Sequence, residues 1–299
     1  MQPVYLQAFR DSKFSEKIKR LNEILSSCTL CPRQCGVNRL KGEKGICEAG
    51  SVARVASAFP HFGEESCLVG TKGSGTIFFS NCNLRCIFCQ NEDISHVAAG
   101  NDINPRALAS MMLNLQEMGC HNINLVTPTH FIPQIMEALE LAIGQGLILP
   151  IVYNCGGYES AEVIDILDGI VDIYMPDAKF SSLEMSRKLC FAPDYFENLK
   201  VVLKKMHQQV GDLIIENGVA QRGLLVRHLV MPEGVAGTKE IMQFIAEEIS
   251  LNTYINIMDQ YRPCGQTFRY PKINRPITRE EYLEAVEIAH SFGLHRLDK

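Results

Sequence analysis

The chain has 299 residues, 46% of them hydrophobic, and a formal net charge of −5. That is enough for one large α/β domain with an appendage, and the charge gives no sign of a nucleic-acid-binding surface. No apolar run reaches the roughly 18 residues needed to cross a bilayer, so no membrane partner is expected. The first element is a helix around Glu16 to Leu25, with Ile18, Leu21 and Leu25 on one face. Next come Cys28-Thr-Leu-Cys31-Pro-Arg-Gln-Cys35 and, beyond a glycine-rich turn, Cys47. Two cysteines two apart, a third soon after and a fourth across a turn form a four-thiolate metal knuckle. Zinc and a fully ligated four-iron cluster both accept four thiolates, and the spacing does not choose between them. A closed site would help fold a region too short to build much core.

Val52 to Ala58 reads as a strand and Pro60-His-Phe-Gly-Glu-Glu65 as a loop, with His61, Glu64 and Glu65 as a solvated turn. A β-branched and aromatic strand, Thr76 to Ser80, then runs into Cys82, Cys86 and Cys89. A loop leaving a strand end folds back on itself, so thiolates spaced by three and two residues converge on one iron–sulfur cluster. Such a cluster normally takes four cysteine ligands, and three leave one iron open. Phe88 adds an aromatic face beside it. Cys67, Cys120, Cys155, Cys190 and Cys264 have no partner at ligand spacing and read as buried, inert thiols. Twelve cysteines grouped this way, with no secretory segment before them, lead to the expectation of a cytoplasmic, reducing and oxygen-poor setting.

From here strands and helices alternate. Asn104-Pro105 opens a helix striped by Leu108, Met111, Leu115 and Met118 and closed by Gly119. Strands are expected at Ile123 to Val126, Leu147 to Tyr153, Val171 to Met175, Leu224 to Val230 and Tyr254 to Met258. Leu213 to Ile215, joined through Glu216-Asn-Gly218, makes a hairpin with the fourth of these. Helices are expected from about Pro133 to Ile143, from a Ser160 cap to Leu167, and over Asp194 to Gln209, Lys239 to Ile249 and Arg279 to Phe292. Six strand-then-helix units imply a parallel sheet with right-handed crossovers, either an open partial barrel or a doubly wound sheet. In both, functional groups gather beyond the carboxyl ends of the strands. That rule selects Thr127, Thr129 and His130, then Asn154 with Gly156 and Gly157. It also selects Asp177 and Lys179, Arg227 and His228, and Asp259-Gln-Tyr-Arg262. Asp177 and Lys179, two apart on extended chain, project to one side.

The Cys82-x3-Cys86-x-Phe88-Cys89 motif resembles the signature of the radical S-adenosylmethionine (SAM) enzymes. Several further segments are similar to an uncharacterised group related to pyruvate formate-lyase activating enzymes. They are Cys28 to Arg39, His61 to Glu65, Gly73 to Phe79, Tyr174-Met-Pro-Asp-Ala-Lys179, Arg227-His-Leu-Val and Met258 to Pro263. The resemblance implies a partial (β/α)6 barrel over residues 71–299, preceded by a small cysteine-rich metal-binding region over residues 1–70. It implies a [4Fe–4S] cluster on Cys82, Cys86 and Cys89 whose open iron chelates SAM, and reductive cleavage to a 5′-deoxyadenosyl radical. It further implies hydrogen abstraction from a protein or peptide, such as a glycyl radical enzyme, with a flavodoxin or ferredoxin as electron donor. Asp177 and Lys179 match the activase Asp-x-Lys motif, which implies contact with SAM or the radical path. Phe88, Asn91, Thr127, Thr129, His130, Asn154 and Arg227 complete the expected SAM site, with Cys28, Cys31, Cys35 and Cys47 binding zinc or a second [4Fe–4S] cluster. Two departures stand out: Thr127-Pro-Thr-His130 replaces the usual Gly-Gly-Glu, and the extra cysteines precede the cluster loop. The alternatives are a radical SAM enzyme acting on a small molecule and an iron–sulfur carrier or redox sensor without SAM turnover.

Overall fold

The computed structural model describes residues 1–298. Two helices, α1 (Tyr5–Arg10) and α2 (Phe14–Ile24), lead to strand β1 (Ala53–His61), the one-turn helix α3 (Ser66–Val69) and β2 (Ser74–Phe79). The cysteine loop and α4 (Glu92–Ser95) follow, then β3 (Asn101–Ile103), α5 (Pro105–Glu117), β4 (Ile123–Val126), α6 (Ile132–Gly144), β5 (Ile151–Cys155), α7 (Ala161–Ile166) and β6 (Ile173–Pro176). The remainder comprises α8 (Leu183–Cys190), α9 (Tyr195–Val210), the hairpin β7 (Ile214–Glu216) and β8 (Val219–Leu229), α10 (Thr238–Glu248), β9 (Tyr254–Met258) and α11 (Arg279–Ser291).

Parallel pairing runs from β2 through β4, β5, β6 and β8 to β9. Each of these strands neighbours the next parallel one in the chain, so the order never reverses as a doubly wound sheet requires. Among the described residues no pairing joins β9 back to β2. The result is an open, singly wound partial barrel. At the β2 edge the sheet is extended by β1, antiparallel to β2, and by β3, antiparallel to β1. The sheet therefore takes in chain from residue 53 onward.

Strand alternation sorts side chains between two apolar clusters. Tyr153, Tyr174, Leu224 and Val226 join the main core, while Val152, Ile173, Met175 and Leu225 form a second cluster with Cys67 and Leu68 of α3. The second cluster fills the barrel interior, with α3 as its plug. Continuing the interior rows toward the strand ends, Val152 leads to Asn154, Met175 to Asp177 and Leu225 to Arg227. The interior thus turns from apolar to charged at the rim where strands meet loops.

Local signals account for several boundaries. Asn104 Oδ1 accepts from the Ala107 N–H at 2.9 Å with Pro105 in the first helical turn, which starts α5 as expected. Ser160 stands at the start of α7 but makes no side-chain cap hydrogen bond. Helix α8, absent from the sequence reading, has Ser182 as its cap, accepting from Met185 N–H at 3.4 Å.

Candidate active site

The cysteine loop leaves β2 at the rim and is pinned from several sides. The Asn81 N–H donates to Ile94 O at 2.9 Å, Asn83 Nδ2 to Tyr158 O at 2.7 Å, and the Ile87 N–H to Leu189 O at 3.0 Å. Asn81 and Arg85 sit at φ of 71° and 56°, left-handed conformations that let the loop double back. Cys82, Cys86 and Cys89 then face one cavity of about 150 Å³. The Leu84 N–H points at Cys82 Sγ at 3.4 Å and the Ser95 hydroxyl at Cys89 Sγ at 3.1 Å. Burial pushes the Cys82 thiol up to about 12 and raises Cys89. Cys86 is raised by its contact with Cys190 and by burial. Metal loading therefore has to displace protons from all three.

The opposite wall of the cavity carries Thr127, Asn154, Gly156, Asp177, Lys179 and Arg227. Backbone bonds continue the ladder past the strand ends: Thr127 N–H to Asn154 O at 2.8 Å, Asp177 N–H to Cys155 O at 2.9 Å and Ala178 N–H to Arg227 O at 2.7 Å. These bonds bring the rim side chains into one network. Asp177 Oδ1 accepts from Arg227 Nε at 2.8 Å and Oδ2 from Lys179 Nζ at 2.5 Å, while Arg227 Nη2 donates to Asn154 Oδ1 at 2.7 Å. Burial alone would push the Asp177 carboxyl up, but the two cations outweigh it and hold it below the usual range. Burial pulls Lys179 down, yet Asp177 and nearby thiols leave it raised and fully charged. The result is a half-buried, preorganised ammonium, carboxylate and guanidinium opposite three thiols. Such a set matches a zwitterionic ligand with a carboxylate, an amine and ribose hydroxyls.

Gly156 and Gly157 make this wall possible. A Cβ on Gly157, at φ +74°, would stand 2.2 Å from Asp177 O and 2.9 Å from Tyr195 Oη. Tyr195 Oη donates to Asp177 O at 2.6 Å and accepts from the Lys179 N–H at 3.0 Å, fixing the Asp-x-Lys turn. Gly157→Ala is expected to lose roughly 2–5 kcal/mol from combined backbone strain and overpacking. Denaturant unfolding checks this, and an unchanged midpoint would contradict it.

Not every residue selected from the sequence reaches the cavity. Asn91 does. Phe88 does not: it is buried edge-on against Phe180, with ring centroids 5.7 Å apart. Thr129 turns away to donate to Glu159 at 2.9 Å, and Glu159, raised by burial to about 7, also accepts from Tyr153 Oη. His130 bonds Ser80 O at 2.7 Å through Nε2, and burial lowers it to about 3, so it is a neutral structural imidazole. His228 is likewise buried, held between Ala178 O and Thr238 Oγ1. His228 occupies the outer side of β8, where alternation puts every second side chain, whereas Thr129 and His130 lie on a 3₁₀ turn after β4 and Phe88 on the cysteine loop.

The loop between β1 and α3 reverses its sequence reading. Rather than forming a solvated turn, Glu64 and Glu65 fold into the barrel mouth: Glu65 is 4% exposed and accepts from Asn256 Nδ2 at 2.9 Å. Glu64 lies 3.2 Å from His61 and 3.9 Å from Arg227, extending the charged network. Cys190 is a second residue missed. Its Sγ lies 3.0 Å from Cys86 Sγ, both buried, and its carbonyl accepts from Arg33 at 2.9 Å. It does not line the cavity, which leaves it behind Cys86 as a neighbour of the ligand set. Cys190→Ala is therefore expected to keep the full iron content of reconstituted protein. A loss of iron would make Cys190 a ligand.

The residues present fit a three-thiolate [4Fe–4S] cluster with SAM beside it, since three thiols and a polar, charged wall share one cavity. The radical SAM superfamily family model matches residues 76–216. The chain is 33% identical over 288 residues to an uncharacterized protein of Methanocaldococcus jannaschii, MJ0674, covering 93% of this chain and 78% of that one. Among solved structures it resembles a radical SAM methyltransferase from Sphaerobacter thermophilus, with a TM-score of 0.51 and 13% identity, over 73% of this chain and 64% of that one. It thus spans just under two thirds of that structure. The methyltransferase TsrM from Kitasatospora setae, solved with cobalamin and a [4Fe–4S] cluster, aligns with a TM-score of 0.42 and 15% identity over 62% of this chain and 36% of that one. Fold and cysteine loop together define an iron–sulfur enzyme class built on an open α/β barrel. Residues 76–216 are a radical SAM superfamily domain. Among the described residues no helix is long and apolar enough to cross a membrane.

Proposed function

We propose that this protein cleaves SAM reductively and abstracts hydrogen from a protein or peptide substrate, in the manner of a glycyl radical enzyme activase. The observation that carries the reading is the shared cavity of Cys82, Cys86, Cys89, Asn154, Asp177, Lys179 and Arg227. When bound, cluster and SAM together supply the one-electron sulfonium cleavage that gives a 5′-deoxyadenosyl radical. The chain's own part is to hold and orient. Cys82, Cys86 and Cys89 hold the cluster. Lys179, kept charged beside Asp177, presents a cation to a carboxylate. Asn154, Thr127 and Asn91 offer hydrogen-bonding groups to amine and ribose. The plugged barrel interior below, closed by Cys67, Leu68, Val152 and Met175, keeps water from the floor of the cavity.

Two surface clefts support an extended substrate rather than a small molecule. One, of about 450 Å³, shares Asn81 with the cavity, and another, of about 400 Å³, shares Leu84 with it. They meet at His96, so an extended segment has room to lie across the cavity mouth. The test uses candidate glycyl radical enzymes with backbone-deuterated glycine, anaerobically, with SAM and a flavodoxin or ferredoxin reductant. Deuterium in 5′-deoxyadenosine is the expected result. Deuterium transfer only from a labelled small molecule would overturn the substrate class.

A further inference from the structure

Two side chains at the end of α4 form a line that ends on a cysteine of the loop. The Ser95 hydroxyl stands 3.1 Å from Cys89 Sγ, and on its other side the same oxygen lies 2.8 Å from His96 Nδ1. Ser95 is 8% exposed and lines the cavity of the three thiols, whereas His96 lines both surface clefts. Backbone bonds hold the turn that carries them. The Asn81 N–H donates to Ile94 O at 2.9 Å, the Ser95 N–H to Asn91 O at 2.9 Å and the His96 N–H to Glu92 O at 2.8 Å. None of these bonds needs the hydroxyl or the imidazole.

Counting protons gives the line a direction. A serine hydroxyl has one hydrogen to give. Cys89 as a thiolate ligand can only accept, so that hydrogen goes to Sγ and Ser95 Oγ is left to accept from His96. The ring then carries its hydrogen on Nδ1, because the bond made at one ring nitrogen fixes where the proton sits. Donors in series strengthen one another, so the imidazole sharpens the hydroxyl bond to sulfur as well as aiming it. A hydrogen bond to a ligating sulfur stabilises the negative charge added on reduction and so raises the reduction potential. We propose that Ser95 and His96 are positioning residues that hold a hydrogen bond on the Cys89 sulfur and raise the potential at which the SAM-cleaving centre takes up its electron. The proposal rests on the reading of Cys89 as a cluster ligand. It gives His96 a part in the reaction although its ring does not reach the cavity.

The test is a redox titration of anaerobically reconstituted protein, read by the paramagnetic signal of the reduced state. Cys28, Cys31, Cys35 and Cys47 line a separate small cavity with Arg33 and Arg39 and are expected from their spacing to take a metal of their own. The signal followed is therefore the one that SAM alters. Ser95→Ala is expected to keep the iron content of the parent protein and to weaken reduction about ten-fold, a shift of about 59 mV to more negative potential for one electron. His96→Ala should shift the midpoint in the same direction. His96→Asn, whose amide can still donate to Ser95, should return it toward the parent value. An unchanged midpoint in iron-loaded Ser95→Ala would overturn the proposal, as would equal shifts in His96→Ala and His96→Asn. If Ser95→Ala loses iron, the two His96 variants decide, since both leave Ser95 in place and open onto the clefts. A parent protein with no SAM-responsive signal would instead overturn the reading of Cys89 on which the proposal rests.

Discussion

Cys86→Ala is expected to lose the catalytic cluster and to bring 5′-deoxyadenosine formation down to background while the protein stays folded. Cys86 is buried on a loop held by backbone bonds from Ile87 to Leu189 O and from Gln266 to Ile87 O. None of these bonds needs the thiol. Removing one Sγ from a buried position costs about 1–2 kcal/mol in packing, far less than removing a metal ligand costs in function. Anaerobic iron analysis, product chromatography and thermal unfolding read the three consequences separately. Substantial 5′-deoxyadenosine from the folded variant would remove Cys86 from the ligand set.

The second large effect separates two residues of one network. Asp177→Ala leaves the half-buried Arg227 and Lys179 without their shared carboxylate, and losing charged hydrogen bonds in such a setting costs about 1.5–3 kcal/mol. Lys179→Met leaves the Asp177–Arg227 pair intact at 2.8 Å, so stability should change little. SAM affinity should fall at least about ten-fold, equivalent to about 1.4 kcal/mol. Chemical denaturation and SAM titration by calorimetry distinguish the two. Equal stability loss in both would show Lys179 to be structural. The sign of the pH dependence follows from the same network. The Asp177 carboxyl is held below its ordinary range in the fold. Its contribution is therefore fully present at neutral pH and is lost only as pH falls below the ordinary aspartate range. Asp177→Asn should flatten that acid limb of the stability profile.

Much of this was legible in the residues. Ile123–Val126 and Tyr254–Met258 were read to the residue because each is a short apolar run between breakers. The rim rule brought Asn154, Asp177, Lys179 and Arg227 together because register and alternation suffice to place them. It failed for Thr129 and His130, which lie on a 3₁₀ turn that directs them behind the strands. The solvated-turn reading of Glu64 and Glu65 failed because charges in a glycine-flanked loop look solvated, and only the docking of α3 inside the barrel buries them. The proximity of Cys190 to Cys86 spans 104 positions, and no local spacing carries such a signal. The surrounds of Cys28 to Cys47 likewise depend on Arg33 and Arg39 meeting carbonyls far along the chain.

The most direct measurement is 5′-deoxyadenosine formation by anaerobically reconstituted protein given dithionite and SAM. The account predicts accumulation of 5′-deoxyadenosine with methionine, abolished when Cys82, Cys86 and Cys89 are replaced. A reducible cluster that neither binds nor cleaves SAM would contradict it and leave an electron carrier or redox sensor in its place.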